Sequence, residues 1–245
     1  MAGHSKFKNI QHRKGAQDKK KAEVFNKLVR ELITANKINN SELEHNPRLR
    51  NAIATARSSN LPKERIEKAL AQSSNQVNRN IYLEIKYEGF LPGGIAIIVN
   101  TLTDNKNRTA SDIRSCFNKY GGHLGELGSL DFMFEHLGKI IYPVSTVSSD
   151  EILAAAIEIG ANNVVTDQSK HLIYTEIELF SKSLEYLTKI FDKPSESNLE
   201  WKAYNTIVID NEEKVANLFK LKEELKKNCA VQKVFSNYNL SQNLS

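Results

Sequence analysis

Cysteine is scarce in this chain. Cys116 and Cys229 are the only two, they lie far apart, and neither belongs to a C-x-x-C pair. That excludes a disulfide framework, a zinc ribbon and a redox dithiol, and it fits a reducing compartment. Cys116 falls on an apolar helical face, where core packing is its expected role. Long apolar runs are missing too. No stretch approaches the roughly 18 residues a spanning helix requires, so no membrane partner is expected. The first residues carry charge where a secretory signal would need an apolar segment. A transit peptide would also be basic and acid-poor, but it would not merge directly into a helical core pattern; the cytoplasm is the expected location. Catalytic signatures are absent as well: no G-x-S-x-G, no Cys/His pairing and no carboxylate pair that can be placed together. His4 and His12 stand eight apart, with no Cys or carboxylate at ligand spacing, so no metal is expected. No enzyme, cofactor or small-molecule substrate follows from these residues.

What is present is positive charge in one place. Residues 1–30 hold seven Lys and two Arg against only Asp18 and Glu23, a net +7. Lys6, Lys8, Arg13, Lys14, Lys19, Lys20 and Lys21 form one extended-to-helical run, interleaved with Phe7, Ile10, Gln11 and His12. Clustered cations among stacking and hydrogen-bonding side chains are the footprint of a phosphate-backbone contact. A solvated basic tail is the plain alternative; Gly3, Gly15 and the shortage of acid favour a binding arm. His4 and His12 suit hydrogen bonding or stacking to nucleic acid as well as they suit packing or solvent exposure. Residues 1–80 carry 17 Lys+Arg and 7 Asp+Glu, a net +10, which leaves −5 for the remainder.

Periodicity gives the organisation. Val24, Phe25, Leu28, Val29, Leu32 and Ile33 predict an amphipathic helix over about 16–36, with Lys20, Lys27 and Arg30 largely off its apolar stripe. A second helix opens at Asn46-Pro47, with Arg48, Arg50 and Arg57 away from its apolar face, and a third opens near Pro62. No helix-turn-helix with a base-reading helix is evident. Residues 72–80 read as a linker. The period then changes to two at Ile81, Leu83, Ile85 and Tyr87, a half-buried strand. The turn 89–94 follows, then a buried strand to Leu102, a helix bearing Ile113, Cys116, Phe117 and Tyr120, and a strand bearing Leu130, Phe132 and Phe134. Further on, residues 139–203 spell β-α-β-β-α-β, the split-βαβ unit. A strand at 207–209, a helix and a strand at 231–235 remain, and they would complete the sheet begun at Ile81.

The expected fold class is therefore α+β: an N-terminal three-helix domain, then two ferredoxin-like α+β domains, one inserted in the other. The expected boundaries are 1–78 for the basic helical domain, 79–136 plus 204–238 for a discontinuous middle domain, 137–203 for the insert, and 239–245 for a frayed tail.

Two loops invite ligand readings. Gly121–Gly128 is glycine-rich, but it runs helix–loop–strand, whereas phosphate-cradling loops run strand–loop–helix; its glycines are expected to serve turns. Residues 104–109 do run strand–loop–helix, so Asn107, Arg108 and Thr109 form a possible anion site at a helix N-terminus. Capping alone also accounts for Asn107 and Thr109.

The opening Met-Ala-Gly-His-Ser-Lys-Phe-Lys-Asn-Ile-Gln-His-Arg-Lys-Gly-Ala-Gln-Asp resembles that of the YebC/PmpR family. The likeness continues through Asn46-Pro-Arg-Leu-Arg50, Tyr87-Glu-Gly-Phe-Leu-Pro-Gly-Gly94, Asp104-Asn-Lys-Asn-Arg-Thr109, Gly121-Gly-His-Leu-Gly125 and Val231-Gln-Lys-Val-Phe235. Phe7 departs from the family's usual tryptophan, and Asn162-Asn163 replaces an acidic position. The resemblance implies a helical domain with two nested α+β domains. It also implies a cytoplasmic DNA-binding regulator of transcription, or a ribosome-associated translation factor contacting rRNA or tRNA, since the family includes the mitochondrial translational activator of cytochrome oxidase. Either use needs a cationic surface, for which the expected residues are His4, Lys6, Lys8, His12, Arg13, Lys14, Lys19, Lys20, Lys27, Arg30, Arg48 and Arg50. Oligomeric state is left open.

Overall fold

A computed structural model of the chain describes residues 3–37, 46–74 and 82–240, with side chains described at all of these except 3–16, 19, 47, 73, 74 and 240. Three helices come first: α1 (Gly3–Lys37), α2 (Pro47–Ser58) and α3 (Lys63–Ser74). Their shared core is Phe25, Leu32, Ile33, Ala35, Leu49, Ala52, Ala56, Leu61, Ile66 and Ala69, with Leu28 and Val29 packed against it; Val24, expected on the same stripe, is 47% exposed instead. Asn46 ties two of them together. Its side-chain oxygen accepts the Leu49 amide at 3.0 Å to cap α2, and its amide group donates to the Ala35 carbonyl of α1 at 2.7 Å. Pro47 then fills the first helical position, where a missing N–H costs nothing.

The first helix departs from its expected start near Ala16: it is continuous from Gly3 through Gly15. One interior glycine costs about 1 kcal/mol against alanine, and the surrounding Lys, Arg, Gln and Ala are strong helix formers that offset it.

The remaining elements are β1 (Leu83–Leu91), β2 (Ile95–Thr103), α4 (Lys106–Lys119), β3 (His123–Leu124), β4 (Phe134–Pro143), α5 (Ser149–Glu158), β5 (Asn163–Thr166), β6 (Lys170–Thr175), α6 (Ile177–Phe191), β7 (Glu196–Ala203), β8 (Ile207–Ile209), α7 (Glu212–Lys227), β9 (Val231–Ser236) and β10 (Tyr238–Leu240). The class is α+β. One four-stranded sheet has the order β3-β1-β2-β9, and another has the order β5-β6-β4-β7. The second is the ferredoxin-like order generated by β4-α5-β5-β6-α6-β7, with β4 antiparallel to both β6 and β7. Its helix-facing side buries Ile140, Tyr142 and Ile173 against Ile152, Ala156, Phe180 and Leu187. Gly138 lies where a Cβ would collide with the Phe180 ring, so α6 packs directly on the β4 backbone.

Three expectations change. Residues 127–133 form successive turns rather than a strand, Phe132 is 76% exposed, and β4 begins only at Phe134. Strand β8 does not join the first sheet; it pairs in parallel with β10, whose Asn239 and Leu240 lie in the stretch expected to fray. Asn237 anchors that pairing: buried, it accepts the Ala96 amide at 2.8 Å through its side chain, while its carbonyl accepts the Ile207 amide at 2.7 Å. In β1, Leu83 is 47% exposed while Glu88 is buried, so the two-residue period does not mark a clean inner face.

By compactness the described chain divides into two units. The first comprises residues 1–87, 99–120 and 216–234, and the second 88–98, 121–215 and 235–245.

Candidate nucleic-acid interface

Helix α1 carries most of the expected cations. His4, Lys6, Lys8, His12, Arg13, Lys14 and Lys19 lie on its backbone, and their side chains are outside the described residues. Of the described residues on α1, Gln17, Asp18, Lys20, Lys21 and Ala22 are exposed, and burial begins at Phe25. Lys21 stands over the Phe25 ring at 5.4 Å, a contact that leaves its charge at the surface.

Three expected contacts are directed inward instead. Arg48 donates from Nε and Nη2 to the Glu31 carboxylate at 2.7 and 3.1 Å, and from Nη1 to Glu84 at 3.0 Å. Burial works against its charge, but the hydrogen bonds and attraction to Glu31 and Glu84 outweigh that and hold its pKa above the ordinary arginine range. Arg30 donates to the Leu102 carbonyl at 2.9 Å and to Cys229 Sγ at 3.2 Å, and stacks over Tyr82 at 4.8 Å. Lys27 donates to the Lys226 carbonyl at 2.6 Å. Off-stripe spacing identified these residues as outward-facing, but Glu31 of α1 and Glu84 take up Arg48, and carbonyls packed beside α1 take up Arg30 and Lys27. Arg50 is exposed.

The possible anion site also changes. Asn105, not Asn107, caps α4, accepting the Arg108 amide at 3.0 Å. Asn107 is exposed on the first turn, Arg108 pairs with Asp104 at 2.8 Å, and Thr109 is buried with its hydroxyl 2.8 Å from that of Thr103. The helix end is already capped and its arginine already neutralised, so these three residues do not assemble a vacant anion cradle.

Grouping charge by compact unit reveals what the linear reading missed. The first unit contains 27 Lys and Arg against 12 Asp and Glu, a net +15; the second contains 7 against 17, a net −10. Segments 99–120 and 216–234, assigned by sequence to a mildly acidic domain, add Arg114, Lys220, Lys226 and Lys227 as exposed cations to the basic unit. Like charges are crowded there. Burial lowers the pKa of Lys27 and of Lys222, and Lys226 pushes both down further. An incoming polyanion relieves such repulsion. Contiguous windows could not find this, because the cations come from three separated segments.

The comparisons with known proteins agree with the residue motifs. Residues 5–76 match the TACO1/YebC protein N-terminal domain, and residues 82–238 match the TACO1/YebC second and third domain. The chain belongs to the TACO1/YebC family. A probable transcriptional regulatory protein of Rickettsia bellii (strain OSU 85-389) is 57% identical over 241 residues, covering 98% of this chain and 94% of that protein. One of Rickettsia typhi (strain ATCC VR-144 / Wilmington) is 54% identical over 245 residues, covering 100% and 97%. The crystal structure of a conserved hypothetical protein from Aquifex aeolicus superposes with a TM-score of 0.80 at 37% identity, covering 90% of this chain and 91% of that one. The TACO1/YebC resemblance read from the sequence is thus shown, and with it the α+β fold. No helix among the described residues is long and apolar enough to cross a membrane.

Proposed function

We propose that this TACO1/YebC protein is a non-enzymatic, cytoplasmic nucleic-acid-binding regulator of gene expression, with DNA-binding control of transcription as the first reading. The observation that carries it is the segregation of charge, +15 in one compact unit and −10 in the other. A surface of that sign binds a phosphate backbone by releasing counterions, whatever the sequence bound. In this reading residues 1–78 form the binding module and 137–203 an inserted domain that makes no backbone contact. The relatives named as probable transcriptional regulatory proteins support it.

A translation factor contacting rRNA or tRNA is the second reading, favoured by α1. At 35 residues this helix is about 50 Å long, more than a recognition helix lays in one major-groove turn, and such a cationic rod suits irregularly folded RNA. Gel shifts with duplex DNA and with structured RNA of equal length, across a salt series, separate the two. Tighter duplex binding that persists at physiological salt supports the regulator. RNA preference together with co-sedimentation with ribosomes replaces it by the translation factor, and binding to neither ends both.

A further inference from the structure

The turn segment between β3 and β4 is built rigidly around a buried carboxylate. Glu88, 2% exposed, accepts the Leu130 amide at 2.7 Å, the Gly128 amide at 3.1 Å and the Ser129 hydroxyl at 3.2 Å, while its own carbonyl accepts the Gly125 amide. Leu130 is fully buried beneath the loop. Gly128 takes φ +90, and a Cβ on Gly125 would stand 2.5 Å from Ser129 Oγ, so neither position accepts a side chain without rearrangement. This scaffold holds Leu127 and Phe132 at 78% and 76% exposure, the two most exposed large apolar residues among the described ones. Exposed Glu126 and Asp131 stand beside them, and residues 121–135 contain no Lys or Arg. Two apolar tips held out on an anionic loop are an anchor for a cationic surface with apolar character.

The chain itself carries a surface of that chemistry. On α1, Val24 is 47% exposed, and Lys20 and Lys21 are exposed close by in sequence. We propose that the 125–133 loop is a docking tip for the cationic α1 of a second copy of this chain. The two patches differ, so the contact is heterologous, each copy offering its loop to the α1 of the next. Nucleic acid and the docking tip then compete for α1, and self-association withdraws the cationic helix when no polyanion is present.

Sedimentation velocity of the full chain at about 50 mM and about 500 mM salt tests this, since contacts between exposed charges weaken steeply over that range. Concentration-dependent association is expected at low salt, lost at high salt, and dispersed by excess duplex oligonucleotide. Glu126→Lys with Asp131→Lys should weaken it at least tenfold, and so should Leu127→Ser with Phe132→Ser. The charge-reversed tip combined in one chain with Lys20→Glu and Lys21→Glu should restore it, because opposite signs again meet. Unchanged circular dichroism and melting temperature confirm that each variant folds. The tip variants should leave duplex binding intact, so failure of this inference is separable from failure of the proposed function. A monomer at about 0.1 mM in low salt overturns the inference, as does association that the tip variants leave unchanged.

Discussion

The Glu88 carboxylate accepts the backbone amide of Leu130 at 2.7 Å while the Leu130 side chain is fully buried. A single acidic side chain therefore fixes both the path of the 125–133 turns and the depth of a core leucine. Replacing it by alanine strands the buried Leu130 amide away from water and takes its acceptor from the half-buried Gly128 amide. Each orphaned donor costs on the order of 1–3 kcal/mol, so Glu88→Ala should destabilise by about 2–4 kcal/mol in urea unfolding. Glu88→Gln keeps one acceptor oxygen and should cost less. Equal stability of the alanine variant and the parent would mean that water replaces the carboxylate.

Arg48 and Lys20 separate fold from function. Arg48 is held by Glu31 and Glu84, whereas Lys20 is exposed on the binding helix. Arg48→Ala should lower stability by about 1–2 kcal/mol, because it leaves a part-buried Glu31 facing no cation. Lys20→Ala should leave the melting temperature within error. Its effect belongs in the nucleic-acid titration, where each lost phosphate contact flattens the log–log salt slope by about 0.9. A salt slope identical to the parent would remove Lys20 from the interface.

The apolar period located most of the shared core of the first three helices, and the split-βαβ run located the ferredoxin-like sheet, because both follow from short-range spacing. Where one residue decided the outcome, spacing was silent. Asn105 rather than Asn107 caps α4, since the cap is settled by which side chain reaches an amide three residues on. Phe132 alternates with Leu130 and Phe134 as a strand residue would, yet Glu88, distant in sequence, turns the segment outward. Arg30 and Lys27 lie off the α1 stripe, but a second layer of structure gives their donors carbonyl partners. Of the candidate interface, the basic opening was legible; the cations of α4 and α7 were not, since only folding gathers them with it.

Tyr142 makes alkaline stability a local readout. Its side chain is fully buried and its hydroxyl donates to the Asp192 carbonyl at 2.9 Å. Burial pushes its pKa up from 10.0 to about 12, and the nearby Asp192 adds to the rise. The folded state thus favours the neutral phenol. This contribution is complete below pH 10 and is lost as pH rises through about 12, since the unfolded chain gives up the proton first. The melting temperature should fall across that window, and Tyr142→Phe should make the fall shallower. Tyr87, Tyr120, Tyr174 and Tyr186 are also raised, so the slope should be reduced rather than abolished. A slope unchanged in the phenylalanine variant would show that Tyr142 ionises as freely in the fold as outside it.

The pairing of β8 with β10 rests on Asn237, whose side chain accepts the Ala96 amide and donates to the Gly94 carbonyl at 3.4 Å. At 1% exposure, truncating it leaves the Ala96 N–H without its partner in the core. Asn237→Ala should therefore cost about 2 kcal/mol. Ending the chain after Ser236 removes β10 as well, and the Ile207–Ile209 amides should then exchange with solvent far faster while those of β4 and β6 keep their protection. Hydrogen exchange on the shortened chain checks this directly: protection that persists at Ile207–Ile209 would show that β8 holds its place without a partner strand.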